Sequence, residues 1–325
     1  MRKTIGTAVS ALIVLALLAA SLAAGGFPLT ELQKDTLRIL LIVCGSSAAY
    51  CFLVGEAAGN FSQMDKLWSL LPVAYTWIVA VRGGMKLRLV VYALIVTAWG
   101  IRLTVNFARK GAYRLRFWEG EEDYRWSVVR GSRFFRKKIA WVLFDLFFIS
   151  AYQNLLVLAI TLPALASMES EAPFGAWDAA AAAAAVLFLA LETAADEVQW
   201  RFHRTKKRLL AEGKTLAELP SPYDLGFNTL GPWGVMRHPN YLGEQGIWLS
   251  LYFFAAGAGV TSWGILHWTM AGPLLLILLF MGSSALAERI SGGKYPAYPS
   301  YIRQVFKYIP LRRFDPGRET EEETA

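Results

Sequence analysis

The chain reads as an all-α membrane protein, a polytopic transmembrane helical bundle of about 7–8 spans, and three observations lead there. Of its 325 residues, 55% are hydrophobic, and the mean hydropathy of +0.37 exceeds that of an ordinary soluble domain. Those residues gather in uncharged runs: positions 6–25 and 39–55 carry no Lys, Arg, Asp or Glu, and neither do the 43 positions 245–287. A helix crosses the hydrocarbon layer in roughly 20 apolar residues, so the last run holds two crossings. Gly257, Gly259 and the Thr261-Ser262-Trp263-Gly264 segment supply the turn between them.

In chain order the spans are predicted at about 6–25, 39–57, 66–81, 88–107, 139–165, 175–195, 244–260 and 266–287. The first has Arg2 and Lys3 ahead of it and small residues at Ala20–Ala24, as a signal peptide does. Its uncharged stretch is longer than a usual signal core, so it reads as a retained helix. The third and seventh are short and are expected to tilt, kink or lie partly inside protein. The chain divides into N-terminal helices over 1–60, a main membrane domain over 61–315 and a disordered tail over 316–325, where the sequence turns polar and acidic.

Charge orients these spans. The 108–138 loop has ten Lys/Arg against four Asp/Glu, the 196–243 loop and the segment after Glu288 are basic, and the 167–177 loop has only Glu169 and Glu171. The positive-inside rule then places the large basic loops in the cytoplasm, most simply across an inner membrane. Arg82, Lys86 and Arg88 dissent, because they would face outward. The net charge of +8 is accounted for by residues flanking spans, where they meet anionic lipid head groups, and no nucleic-acid motif accompanies it. Cys44 and Cys51 lie two turns apart on one helix face, too far for a disulfide, and three dispersed histidines make no metal site.

Ionisable groups within or beside a span are costly and call for an explanation. Leaving the sixth span, Glu192, Asp196, Gln199 and His203 recur every three or four residues and share one helical face; either a solvated helix end or a row of acceptors for a ligand has this pattern. Before the seventh span runs Gly231-Pro232-Trp233-Gly234-Val235-Met236-Arg237-His238-Pro239-Asn240-Tyr241-Leu242-Gly243-Glu244. Pro239 favours a helix start there, a helix N-terminus suits phosphate, and Arg237 adds a forked cation. A structural turn with an interfacial arginine is the plainer account. After the eighth span, Glu288 precedes Tyr295, Tyr298 and Tyr301, a stripe fit for an interfacial aromatic belt or for ligand contact.

From Asp65 to Pro310 the chain resembles the steroid 5-alpha-reductase family, in its broad bacterial branch. The segments that carry the resemblance are Asp65-x-x-Trp68, Trp99-Gly100-Ile101-Arg102-Leu103-Thr104, Glu121-Glu122-Asp123-Tyr124-Arg125, Glu192-x-x-x-Asp196-x-x-Gln199 and Arg237-His238-Pro239-Asn240-Tyr241-x-Gly243-Glu244. Arg-His-Pro-x-Tyr alone is shared with isoprenylcysteine and phospholipid methyltransferases. The resemblance implies NADPH held by Asp196, Asn240, Gly243 and Glu244, with Glu192, Arg237 and Tyr241; Gln199, His203, His238 and Tyr298 are the further candidates for cofactor contact. Glu192 stands where the animal enzymes have Asn. It also implies a Glu and a Tyr that polarise the substrate carbonyl, for which Glu56, Asp65 and Tyr75 are the candidates. The expected activity is NADPH-dependent reduction of a C=C bond in a hydrophobic enone, with membrane lipids and a greasy small molecule as partners. No Gly-x-Gly-x-x-Gly fingerprint is present, so the nucleotide would be held by helices. An S-adenosylmethionine-dependent membrane methyltransferase and a non-enzymatic lipid-binding protein are the alternatives.

Overall fold

The computed structural model describes residues 2–23, 28–262 and 264–317. The C-terminal residues 318–325, which hold most of the expected disordered tail, Ala24 of the small-residue stretch and Trp263 of the expected turn lie outside the described residues. Among the described residues all regular structure is helical. All eight apolar stretches lie mainly on helix, and five helical segments are long and apolar enough to cross a membrane: Glu31–Ala58, Leu87–Ala108, Lys138–Ser167, Ala176–Ala211 and Trp268–Lys294. Ala11–Ala23 and Leu71–Arg82 are apolar but shorter.

The helices are α1 (Arg2–Ala23), α2 (Glu31–Ala58), α3 (Gln63–Leu67), α4 (Leu71–Arg82), α5 (Leu87–Ala108), α6 (Tyr124–Arg130), α7 (Lys138–Phe144), α8 (Gln153–Ala159), α9 (Leu162–Ser167), α10 (Ala176–Ala211), α11 (Pro239–Gly257), α12 (Ala271–Lys294) and α13 (Tyr298–Gln304). A π-helical turn, Asp145–Tyr152, joins α7 to α8. The chain forms two compact units, one from the segments up to Ala185 plus Trp248–Leu276, the other from Val186–Ile247 plus the chain from Ile277 onward.

In the first unit, Thr30 and Gln33 cap α2 reciprocally, and Gly59 ends it in the left-handed conformation at φ 64°. Large rings fill the interior: Trp99 meets Trp248 edge-on at 5.0 Å, and Tyr92 meets Phe254 at 5.4 Å. The 117–126 loop is tied to the α2–α3 turn. Asn60 Nδ2 donates to the Gly120 carbonyl at 3.0 Å, Glu122 Oε1 accepts from the Phe61 amide at 2.8 Å, and Ser62 Oγ accepts from the Asp123 amide at 2.9 Å. Lys66, buried, spans the same junction by donating to the Phe117 and Glu119 carbonyls at 2.8 and 2.7 Å.

The dissenting basic loop has counter-charges. Arg82 binds Asp35, Lys86 binds Glu171 at 2.8 Å, and Arg88 grips Asp178 with Nε at 2.6 Å and a second nitrogen at 2.9 Å. Arg88 also donates to the Ala172, Pro173 and Gly257 carbonyls. A buried charge survives when its donors and acceptors are matched in this way.

In the second unit, an aromatic core of Phe227, Tyr298, Tyr301, Val305 and Phe314 packs the segment after α12 against the loop before α11. Parallel pairing of Met236 with Phe306 extends this contact through Arg237 N to the Phe306 carbonyl and His238 N to the Lys307 carbonyl.

Candidate functional site

The second unit gathers most residues singled out by sequence. The row on α10 meets the start of α11: Asn240 Nδ2 donates to Asp196 Oδ1 at 3.2 Å, and Asn240 Oδ1 accepts from the Tyr241 amide at 3.0 Å. Gln199 Nε2 lies 3.0 Å from His203 Nε2, and Gln199 Oε1 accepts from Asn228 Nδ2 at 2.9 Å. Glu192 and Glu244 are both buried. Pro239 begins α11, as its fixed φ and missing amide proton favour.

Arg237 and His238 share one carboxylate. Glu288 Oε1 lies 2.8 Å from Arg237 Nε and 3.0 Å from His238 Nε2. Arg237 further donates to the Val305 and Ile302 carbonyls, so this guanidinium is committed largely to holding the C-terminal end of α13. Burial pushes the His238 imidazole below its ordinary value, with Glu288 pulling the other way. His238 stacks on Tyr241 at 5.1 Å and 13°, and Tyr241 meets Phe280 at 4.6 Å.

Two sequence-assigned residues take packing roles. Gly243 lies where α11 crosses α10, and a Cβ there would stand 2.6 Å from the Glu192 Cβ and 3.0 Å from the Phe188 carbonyl oxygen. Tyr298 belongs to the aromatic core. On another face of α10, at 100° per residue, Arg201, Arg204 and Arg208 line a cleft of about 770 Å³ with Phe202, Tyr223 and Leu230. Phe202 and Tyr223 stack at 5.1 Å and 20° in its wall.

The first unit holds the three candidate catalytic residues, Glu56, Asp65 and Tyr75. Asp65 Oδ2 accepts from Trp126 Nε1 at 2.8 Å, so two segments that sequence set side by side as motifs, 65–68 and 121–126, do meet. Burial first, and the charge of Asp123 second, hold the Asp65 carboxyl above its ordinary value. Arg125 forks onto Asp123 at 2.8 and 2.9 Å and keeps that carboxyl below its ordinary value despite its burial. Tyr75 is fully buried beside Cys44 and Cys51. Glu56 stands near Asp145, a residue that the sequence reading passed over. The available signal was plain: Asp145 is the one Asp, Glu, Lys or Arg between Lys138 and Glu169.

Among the described residues no group of His, Cys, Asp and Glu is arranged to hold a metal ion. The class is therefore an all-helical protein with several membrane-length helices and a partly buried polar network where one of them, α10, meets the start of α11. The chain belongs to the family described as Protein of unknown function (DUF1295), whose model matches residues 51–305. It is 37% identical over 262 residues to "Uncharacterized protein C594.04c" of Schizosaccharomyces pombe, a match covering 77% of this chain and 73% of that protein. No solved structure matches significantly.

Proposed function

We propose that the chain is a membrane-embedded NADPH-dependent reductase of a C=C bond in a hydrophobic enone, related to the steroid 5-alpha-reductases through the motifs at Asp65, Glu121, Glu192 and Arg237. On this reading α1, α4 and α11 complete the seven or eight crossings, in the inner membrane with the nucleotide on the cytoplasmic side. The observation that carries it is the Asp196–Asn240 contact, which brings the acceptor row of α10 to the N-terminus of α11. Such acceptors suit ribose hydroxyls and a carboxamide, and the helix N-terminus suits a phosphate.

The donor set fits the cofactor in kind. Asp196, Asn240 and Glu244 would hold the neutral hydrogen-bonding parts of the cofactor. Arg237, tied to Glu288 and two carbonyls, acts by fixing the start of α11. Gly243 acts by admitting the close crossing of α10. The bound nicotinamide would supply a hydride to the β-carbon of the enone. Tyr75, or Asp65 as a carboxylic acid, would hydrogen-bond the substrate carbonyl and stabilise the enolate that develops, and a proton delivered to the α-carbon would complete the reduction.

A second reading, an S-adenosylmethionine-dependent methyltransferase, draws support from one contact: Glu288 engages both the Arg and the His of the shared Arg-His-Pro-x-Tyr element. Equilibrium binding of NADPH and of S-adenosylmethionine to the purified full chain separates the two. Saturable NADPH binding that Asp196→Ala and Asn240→Ala weaken supports the reductase; S-adenosylmethionine binding alone reverses the choice. Absence of both points to a non-enzymatic lipid-binding protein.

A further inference from the structure

Five buried polar atoms in the first unit, Glu56 Oε1, Tyr75 OH, Trp141 Nε1, Asp145 Oδ2 and Asn154 Oδ1, have no hydrogen-bond partner among the described residues. Buried polar groups are satisfied in the great majority of cases, so a concentration of exceptions needs a cause. Glu56 stands near Asp145, and the other four are linked through Gly55 and Cys51, one turn apart on one face of α2. A Cβ on Gly55 would lie 3.8 Å from both Asp145 Oδ2 and the Phe61 ring, and that ring meets Trp141 edge-on at 4.8 Å. One turn back on α2, Cys51 Sγ accepts from Asn154 Nδ2 at 3.8 Å, and the Tyr75 hydroxyl lies within electrostatic reach of the same thiol.

The backbone beside them is irregular. Asp145 opens the π-helical turn, and Ser150 within it donates to Asp145 Oδ1 at 3.2 Å. Asn154, at its exit, donates to the Ser150 carbonyl at 2.7 Å, which fixes its amide with the oxygen turned elsewhere. A π-turn inserted in a helix often marks a functional site, and a carboxyl at membrane depth is retained for a role. Asp145 and Asn154 are 1% and 0% exposed, and Trp141 is 3% exposed, so the group that satisfies them must itself be buried.

We propose that this cluster binds the hydroxyl end of an otherwise apolar ligand. The balance of donors and acceptors selects that group. Three of the five atoms, on Glu56, Asp145 and Asn154, accept, and a ligand carbonyl has no hydrogen to give them. The Trp141 indole only donates, and an ammonium has no lone pair to receive it. A hydroxyl does both: its one hydrogen goes to one of these acceptors, and its oxygen accepts from a donor such as the indole. The substrate class is then a hydroxylated isoprenoid, fatty or sterol-like molecule, with Asp145 and Asn154 as recognition residues. As the substrate of a reductase, it would be a hydroxy-enone. The substrate label rests on the proposed function; the hydroxyl site is tested without cofactor, so the two fail separately.

The probes are radiolabelled farnesol, hexadecanol and a 3-hydroxysterol, each beside its methyl ether, bound to the full chain in detergent micelles. Methylation removes the donor and leaves the protein unaltered. At least one alcohol is expected to bind saturably, with its ether about tenfold weaker, as the loss of one buried hydrogen bond gives. Asn154→Leu and Asp145→Leu are expected to reduce alcohol binding by about the same factor and to bring the alcohol-to-ether ratio towards one, with NADPH binding unchanged. The proposal is overturned if no alcohol binds saturably, if an ether matches its alcohol, or if both variants keep the wild-type ratio. Loss of NADPH binding in the wild-type chain would instead count against the reductase reading alone.

Discussion

A single oxygen of Glu288 ties Arg237 to His238, at 2.8 Å from the guanidinium Nε and 3.0 Å from the imidazole Nε2. Two consecutive side chains that would diverge from an extended backbone are thereby held on one side of the segment that starts α11. Removing the carboxylate leaves a buried guanidinium without its counter-charge, which costs on the order of 3–5 kcal/mol. Glu288→Ala is expected to lower the unfolding midpoint of the detergent-solubilised chain sharply, and Glu288→Gln less so. If NADPH binds as proposed, both variants weaken it by disordering Asn240. Unchanged thermal stability in Glu288→Ala would contradict this role.

His238 gives a pH signature. Burial holds its imidazole below the ordinary value, so below about pH 6.5 the unfolded chain binds a proton that the folded chain resists. Stability is therefore complete above about pH 6.5 and falls as pH drops from there towards the lowered native value. Unfolding midpoints measured between pH 8 and 5 are expected to show this decline, and His238→Gln to flatten it.

The helices were legible because hydrocarbon imposes length: a run such as 39–55 can hardly be anything else. The acceptor row on α10 was legible because four polar residues keep the helical period. Counter-charges were not. Arg88 finds Asp178 at a separation of 90 residues, and nothing local in the sequence joins them. Asp145 was hidden for the opposite reason: a lone carboxyl in an apolar run has no periodic partner, and the groups around it come from α2 and from the irregular turn. Gly243 reads as a ligand contact from its motif, and the pressure of its backbone against Glu192 is a second constraint that no local pattern announces.

The Arg88–Asp178 pair makes a further prediction. Its side chains are 5% and 0% exposed, so salt screens it little. Arg88→Met and Asp178→Leu are each expected to cost about 3–5 kcal/mol, and the double variant much less than their sum, because an apolar pair strands no charge. Denaturation in mild detergent, compared across the four proteins, measures the coupling. Additive losses would show that the two residues act independently.

Asp65 behaves in the opposite sense to His238. Its carboxyl is held above the ordinary value, so between that value and the raised one the folded chain keeps a proton that the unfolded chain has lost. Stability from this group declines as pH rises across that window. Asp65→Asn keeps an acceptor for Trp126 and is expected to remove the decline. Asp65→Ala strands the indole N–H and is expected to cost about 1–3 kcal/mol at every pH. Equal pH profiles for wild type and Asp65→Asn would show that another group sets the slope.

The crossing of α10 and α11 is set by two glycines, and the space around them separates that effect from helix propensity. A Cβ at Gly243 would fall 2.6 Å from the Glu192 Cβ and 3.0 Å from its Cα, and one at Gly246 would fall 2.4–2.6 Å from the Phe188 ring. The atoms that face Gly243 include the Glu192 Cα and the Phe188 carbonyl oxygen, which cannot withdraw without moving α10, so Gly243→Ala must spread the helices and stretch the 3.2 Å contact of Asn240 with Asp196. Gly45 in α2 and Gly282 in α12 are also helical, but no atom lies within 4 Å of where their Cβ would be. Alanine there is expected to be neutral or stabilising by up to about 1 kcal/mol, from helix propensity alone. Unfolding midpoints for the four alanine variants, with NADPH affinity for each, test the argument. Loss confined to positions 243 and 246 supports the close crossing; equal tolerance at all four positions would mean that the helices do not meet as described.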